Sequence, residues 1–145
     1  MDNEPRFYGE VSPQSHKTMS KIKGKDTKPE LLLRKYLWNQ GIRYRKNFPG
    51  LPGRPDIVIT KYKMAIFCDS EFFHGKDWET QRKKIETGAN ADYWVKKITR
   101  NMKRDQRKDE ELKSLGWIVL HFWSKEIECD VEGCYYRIIA AINDL

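Results

Sequence analysis

The chain has no apolar run long enough to cross a bilayer, which excludes a membrane-spanning helix. Its first residues, Met1-Asp2-Asn3-Glu4-Pro5, lack the basic start and apolar middle of a secretory signal, so a cytoplasmic location is expected. Cysteine is scarce: Cys68, Cys129 and Cys134 are the only three, and an odd number argues for free thiols in a reducing compartment. No second Cys or His pair stands near Cys129 and Cys134, so a zinc site is not expected there. Internal repeats, low-complexity tracts and linkers are absent, and 145 residues suit one domain with a real core. We read residues 1–20, polar and without period, as an arm that orders on binding, and residues 21–145 as the single domain.

Acids are the scarcer charge. There are 28 Lys and Arg against 21 Asp and Glu, a net +7, and the excess is spread along the chain. Most of these charges simply solvate a surface. With 12% aromatic residues, however, the balance points toward a polyanion such as double-stranded DNA, because cations neutralise phosphates and rings stack on or wedge between bases. No basic helix carries a continuous apolar face, which argues against a membrane surface.

Thr27-Lys28-Pro29-Glu30 has the form of a capping box with proline in the first turn, and it opens a helix over 27–40 that stops at Gly41. Residues 42–48 alternate apolar and basic and predict a half-buried strand. A Gly/Pro turn covers 49–55. Short strands follow at 56–60 and 64–73, with Lys61-Tyr62-Lys63 as their turn. Residues 75–91 are polar and unassigned. Asp92 caps a long helix over 92–114, closed by Leu115-Gly116. A strand at 117–123 and a helix at 131–145 complete the order αβββαβα, an α/β mixed sheet flanked by helices.

The candidate chemistry gathers where acids meet strand ends. Asp56 follows the turn Leu51-Pro52-Gly53-Arg54-Pro55 and opens an apolar strand. It either closes the turn, as Asp commonly does, or holds Mg²⁺; the second strand beside it favours the metal. On that strand Asp69 and Glu71 share one face by the period of two, and at least one acid or carbonyl there should complete the ion site. His74 follows this cluster and is the candidate general base. His16 lies in the arm and His121 in a core strand, and neither has such company. Asp105 falls on the inward stripe of the long helix with Trp94, Ile98, Met102, Leu112 and Leu115. An acid there needs a partner: the His74 imidazole, whose tautomer it would fix, or an ion pair with Arg100 or Lys108. Glu30 belongs to the capping box and can also turn its carboxylate into the site. Arg54 and Lys76 are candidate DNA contacts. Of Phe72 and Phe73, period two sends one inward and leaves the other beside the site, where a base step is a fitting partner.

Taken in order, Asp26-Thr27 with Glu30, the Leu-Pro-Gly-Arg-Pro-Asp run ending at Asp56, Phe72-Phe73-His74, residues 98–105 with Asn101 and Arg104, and Leu115-Gly116-Trp117 make a pattern. It resembles the very-short-patch-repair (Vsr) endonuclease family, within the restriction-endonuclease-like PD-(D/E)XK superfamily, over about residues 15–123. The resemblance implies a restriction-endonuclease-like three-layer core and Mg²⁺-dependent nicking 5′ to the thymine of a T·G mismatch. It implies Asp56 as metal-binding acid, Cys68 as a second ligand through its main chain, His74 as base, Asp105 as its orienting partner and Glu30 as a helper. It also implies that Met19, Phe72 and Phe73 wedge into the base stack.

The chain departs from the family pattern twice. The family type holds a structural zinc; here the matching positions are Glu71, Lys76, Trp78 and Lys125, so none is expected. Asp69 stands where the type member has a histidine near the leaving group, and it remains a candidate for the metal site or the chemistry. A homing or restriction-type endonuclease of the same fold is the alternative. A basic DNA-binding module whose acids are structural is the alternative from another class.

Overall fold

The structure is a computed structural model that describes residues 26–46 and 48–145; Met19 and the 1–20 arm lie outside the described residues. Helix α1 (Lys28–Asn39) is followed by strands β1 (Ile57–Ile59) and β2 (Met64–Asp69), which a short 3₁₀ turn connects. Helices α2 (Trp78–Glu86) and α3 (Ala91–Ser114) lead to strand β3 (Ile118–Trp123), and α4 (Ser124–Cys129) and α5 (Val131–Asn143) close the chain.

The three strands form one mixed sheet in the order β1-β2-β3, antiparallel between β1 and β2 and parallel between β2 and β3. A parallel pair needs a long crossover, and α2 and α3 supply it. β2 is central and buried on both faces, which is why it reads as an unbroken apolar run. Its even residues Met64, Ile66 and Cys68 join Leu33 and Leu37 of α1, Ile127 of α4, and Cys134 and Ile138 of α5 in the main core. Its odd residues Ala65 and Phe67 pack on the opposite face against Leu112 of α3. Helices therefore cover both faces of the sheet.

Four features differ from the sequence reading. Among the described residues of 42–48 no strand forms: Arg45 and Val58 exchange two backbone hydrogen bonds as a single bridge, because β1 has three residues and offers one partner position on that edge. The strand expected over 64–73 ends at Asp69. Beyond it His74 N–H bonds the Ser70 carbonyl and Lys76 N–H the Glu71 carbonyl, so the chain coils and Asp69 and Glu71 do not share a strand face. Helices α2 and α4 appear where none was assigned, which makes the order αββααβαα. The long helix starts at Ala91 with Asn90, at φ 60°, as its cap in place of Asp92, and Leu115 is 54% exposed past its end.

Candidate active site

Side-chain alternation on β2 divides the site. Cys68 faces the α1 side of the sheet and Asp69 the α3 side, and each collects its own set of polar groups.

On the α1 side, Asp56 is 7% exposed, and its Oδ2 accepts a 2.7 Å hydrogen bond from Cys68 N–H. Asp56 N–H in turn donates to the Ile66 carbonyl. Residues 66 and 68 of a strand present their backbone groups to the same edge, so the Cys68 carbonyl points to the edge where Asp56 sits. Glu30 reaches this place from the first turn of α1. The expected capping box does not form: Thr27 makes no side-chain cap, and Glu30 Oε2 accepts from the N–H of Asp26, the residue before the N-cap, at 2.9 Å. Arg34 steadies the group, with NH2 2.7 Å from Asp26 Oδ1 and NH1 4.0 Å from Glu30 Oε2. Glu30 Oε1 is buried with no hydrogen-bond partner among the described residues. Burial, and then the nearby Glu30 charge, push Asp56 up to about 8. Burial also raises Glu30 and lifts the Cys68 thiol well above its ordinary range, so Cys68 is a neutral thiol.

Two carboxylates pressed together with an orphaned oxygen are the mark of a site completed by a cation. Among the described residues no cluster of three or more His, Cys, Asp and Glu side chains could hold a metal. Asp56, Glu30 and the Cys68 carbonyl nevertheless form a hard-oxygen set that fits a divalent ion.

On the α3 side stand two histidines. His74 Nδ1 donates to Asp105 Oδ2 at 2.6 Å, and its Nε2 lies 3.9 Å from Asp69 Oδ1. Burial disfavours the His74 charge, but the Asp105 hydrogen bond and the Asp69 and Asp105 charges outweigh it and hold the imidazole above its ordinary pKa. His121, on β3, donates Nδ1–H to Asp69 Oδ2 at 2.6 Å and Nε2–H to Asp109 at 2.8 Å, and stacks on the Phe67 ring. Burial again opposes its charge, but Asp69 and then Asp109 raise it to about 9.

The loop that carries His74 is fitted tightly to α3. Gly75 has φ +72°, and a Cβ there would collide with the Met102 thioether. Asn101 donates to the Phe73 carbonyl at 3.0 Å, and Arg104 donates to Asn101 at 2.9 Å. Phe72 is 37% exposed and Phe73 half-buried; the rings meet edge to face, and Trp94 packs against both. Lys76 lies over the Trp123 ring.

Above the histidines opens a cleft of about 300 Å³, walled by the Leu51–Arg54 turn, Phe67, Asp69, both His–Asp pairs, Arg104 and Lys108. Gly53, at φ +79°, lets the turn run close over Phe67 and the Lys108 side chain. Arg54, Arg104 and Lys108 give the cleft basic walls. The sequence reading placed His121 in a core strand without company; it lines the cleft, as does Arg104. Asp109 was missed, although its spacing of four from Asp105 puts both on one face of α3. Glu71, expected beside Asp69, instead accepts from Lys125 N–H at the start of α4.

A buried carboxylate pair on one face of the sheet, and acid-oriented histidines beneath basic walls on the other, are groups that a phosphodiester-cleaving enzyme uses. A family model described as "DNA mismatch endonuclease Vsr" matches residues 11–80. A type II nicking enzyme of Haemophilus parainfluenzae (V.HpaIIP) is 46% identical over 92% of this chain and 95% of its own. A type II nicking enzyme of Neisseria meningitidis serogroup C (V.NmeDIP) is 44% identical over 90% and 87%. The DNA mismatch endonuclease Vsr of Escherichia coli strain K12 is 34% identical over 81% and 70%. The chain belongs to the Vsr family of DNA endonucleases. A DNA-binding module without catalysis is thereby set aside.

Proposed function

We propose that this endonuclease nicks one strand of double-stranded DNA at a T·G mismatch, with Mg²⁺ as its divalent cation, on a restriction-endonuclease-like three-layer fold. The observation that carries the reading is the buried Glu30–Asp56 pair beside the Cys68 backbone, whose N–H bonds Asp56. Asp56 and the Cys68 carbonyl would hold the ion and Glu30 would support it. Bound there, Mg²⁺ supplies Lewis-acid polarisation of the phosphate. His74 takes the proton of the attacking water at Nε2, and Asp105 fixes its tautomer through Nδ1. Asp69 was a candidate metal ligand; its oxygens engage His121 and face His74, which supports a place among the histidines. Arg54, Lys76, Arg104 and Lys108 contact phosphates. Phe72 and Phe73, backed by Trp94 and joined by Met19 of the arm, wedge into the base stack.

Residues 21–145 act as one domain in the cytoplasm. A structural zinc does not fit: Glu71, Lys76, Trp78 and Lys125 offer one carboxylate, two ammoniums and an indole. The names of the relatives, nicking and mismatch enzymes, favour this reading over the homing or restriction-type alternative.

The test is cleavage of two duplexes, one with a T·G mismatch and one fully paired, in Mg²⁺ and in chelator. A nick confined to the mismatched duplex and to Mg²⁺ is expected. Cleavage of both strands of the paired duplex would favour the alternative.

A further inference from the structure

His121 carries a carboxylate on each ring nitrogen, an arrangement that His74 only half shares. Nδ1 bonds Asp69 of β2 and Nε2 bonds both oxygens of Asp109 of α3, so three elements meet on one imidazole. With both nitrogens donating, the ring is a fixed cation with no lone pair to offer. The Phe67 ring, 4.7 Å away and 11° from parallel, holds its plane. His74 has Asp105 on Nδ1, but its Nε2 stops 3.9 Å short of Asp69, beyond hydrogen-bond reach. Asp69 stands between two histidines and bonds only one.

We infer that His121 is a positioning residue for the cleavage reaction: by holding Asp69 it keeps that carboxylate off His74 and leaves His74 Nε2 open to a proton. Asp69 is 5% exposed, and a buried carboxylate without a partner is strongly disfavoured. Freed from His121, it would close the gap to His74. His74 would then be capped on both nitrogens, as His121 is now, and could not accept a proton from water. The inference rests on the base role proposed for His74.

His121→Phe tests it, because phenylalanine keeps the stack on Phe67 and removes both donors. The single-turnover nicking rate should fall about tenfold or more while metal-free affinity for the same duplex stays within about twofold. Adding Asp69→Asn should restore much of the lost rate, since an amide does not capture an imidazolium. A His121→Phe rate equal to wild type, or a further loss in the double variant, overturns the inference. Should His121→Phe fail to fold by circular dichroism, His121→Gln keeps a donor for Asp69 and should lose rate without gaining from Asp69→Asn only if the inference is wrong. A second readout needs no DNA. In His121→Phe the imidazole NMR spectrum should gain an exchange-protected His74 Nε2–H signal that Asp69→Asn removes. Its absence sinks the inference even if wild type nicks DNA. If the signal appears while wild type fails to nick, the functional reading alone has failed.

Discussion

Asp105 and Asp109 stand one turn apart on α3, and each accepts a hydrogen bond from a different histidine. The first of these bonds sets when His74 can act. A base works when deprotonated, so cleavage should rise with pH through the His74 pKa, which Asp105 helps hold above the ordinary 6.5. In Asp105→Asn the plateau rate should fall by about 10²-fold and the acid limb should move to lower pH. Single-turnover rates across pH measure both, and an unmoved limb would argue that Asp105 does not govern His74.

Asp56→Asn should abolish nicking with DNA binding nearly intact. It should also change how stability depends on pH. Asp56 titrates near 8 when folded and near 3.8 as a free side chain, so between these values the folded state holds a proton the unfolded state has released. Metal-free stability therefore falls as pH rises across that window. Urea unfolding at pH 5 and pH 8 in chelator should show this fall in wild type and a smaller one in Asp56→Asn. Adding Mg²⁺ at pH 8 should stabilise wild type and not the variant.

Gly75→Ala should destabilise by about 1–3 kcal/mol, from a strained positive φ and the collision with Met102. Met102→Ala in the same chain should recover part of that loss, because it removes the collision and leaves the strain. Denaturant midpoints of the two variants decide it; no recovery would mean the collision is relieved elsewhere.

Phe72→Ala should weaken binding to mismatched duplex more than to paired duplex, with little change in salt dependence, because a wedge contacts bases and not phosphates. Titrations of both duplexes at several salt concentrations test it. Equal weakening, or a shallower salt slope, would mean the ring is not a wedge.

What the sequence made legible was what single elements dictate. An acid on an apolar helical stripe pointed to a partner for Asp105, and a lone carboxylate opening an apolar run singled out Asp56. The His121 cluster was hidden because its members are distant: 52 positions separate Asp69 from His121, and only the parallel register of β2 and β3, which sets His121 opposite Phe67, brings them within reach on one face. Residues 42–48 carry a strand's alternation, but a strand also needs a partner edge, and β1 offers them one residue. Helix α2 has no buried residue, so no apolar stripe announced it.

The division of labour across β2 makes the count of its residues a constraint in its own right. Cys68 and Asp69 are neighbours that serve opposite faces, and nothing but the alternation of the strand keeps their duties apart. One residue added to or removed from β2 would turn the Cys68 carbonyl toward β3 and send the Asp69 carboxylate into the apolar layer beneath α1. Apolar side chains along the strand can be exchanged for others of similar bulk, whereas its length can change only in steps of two.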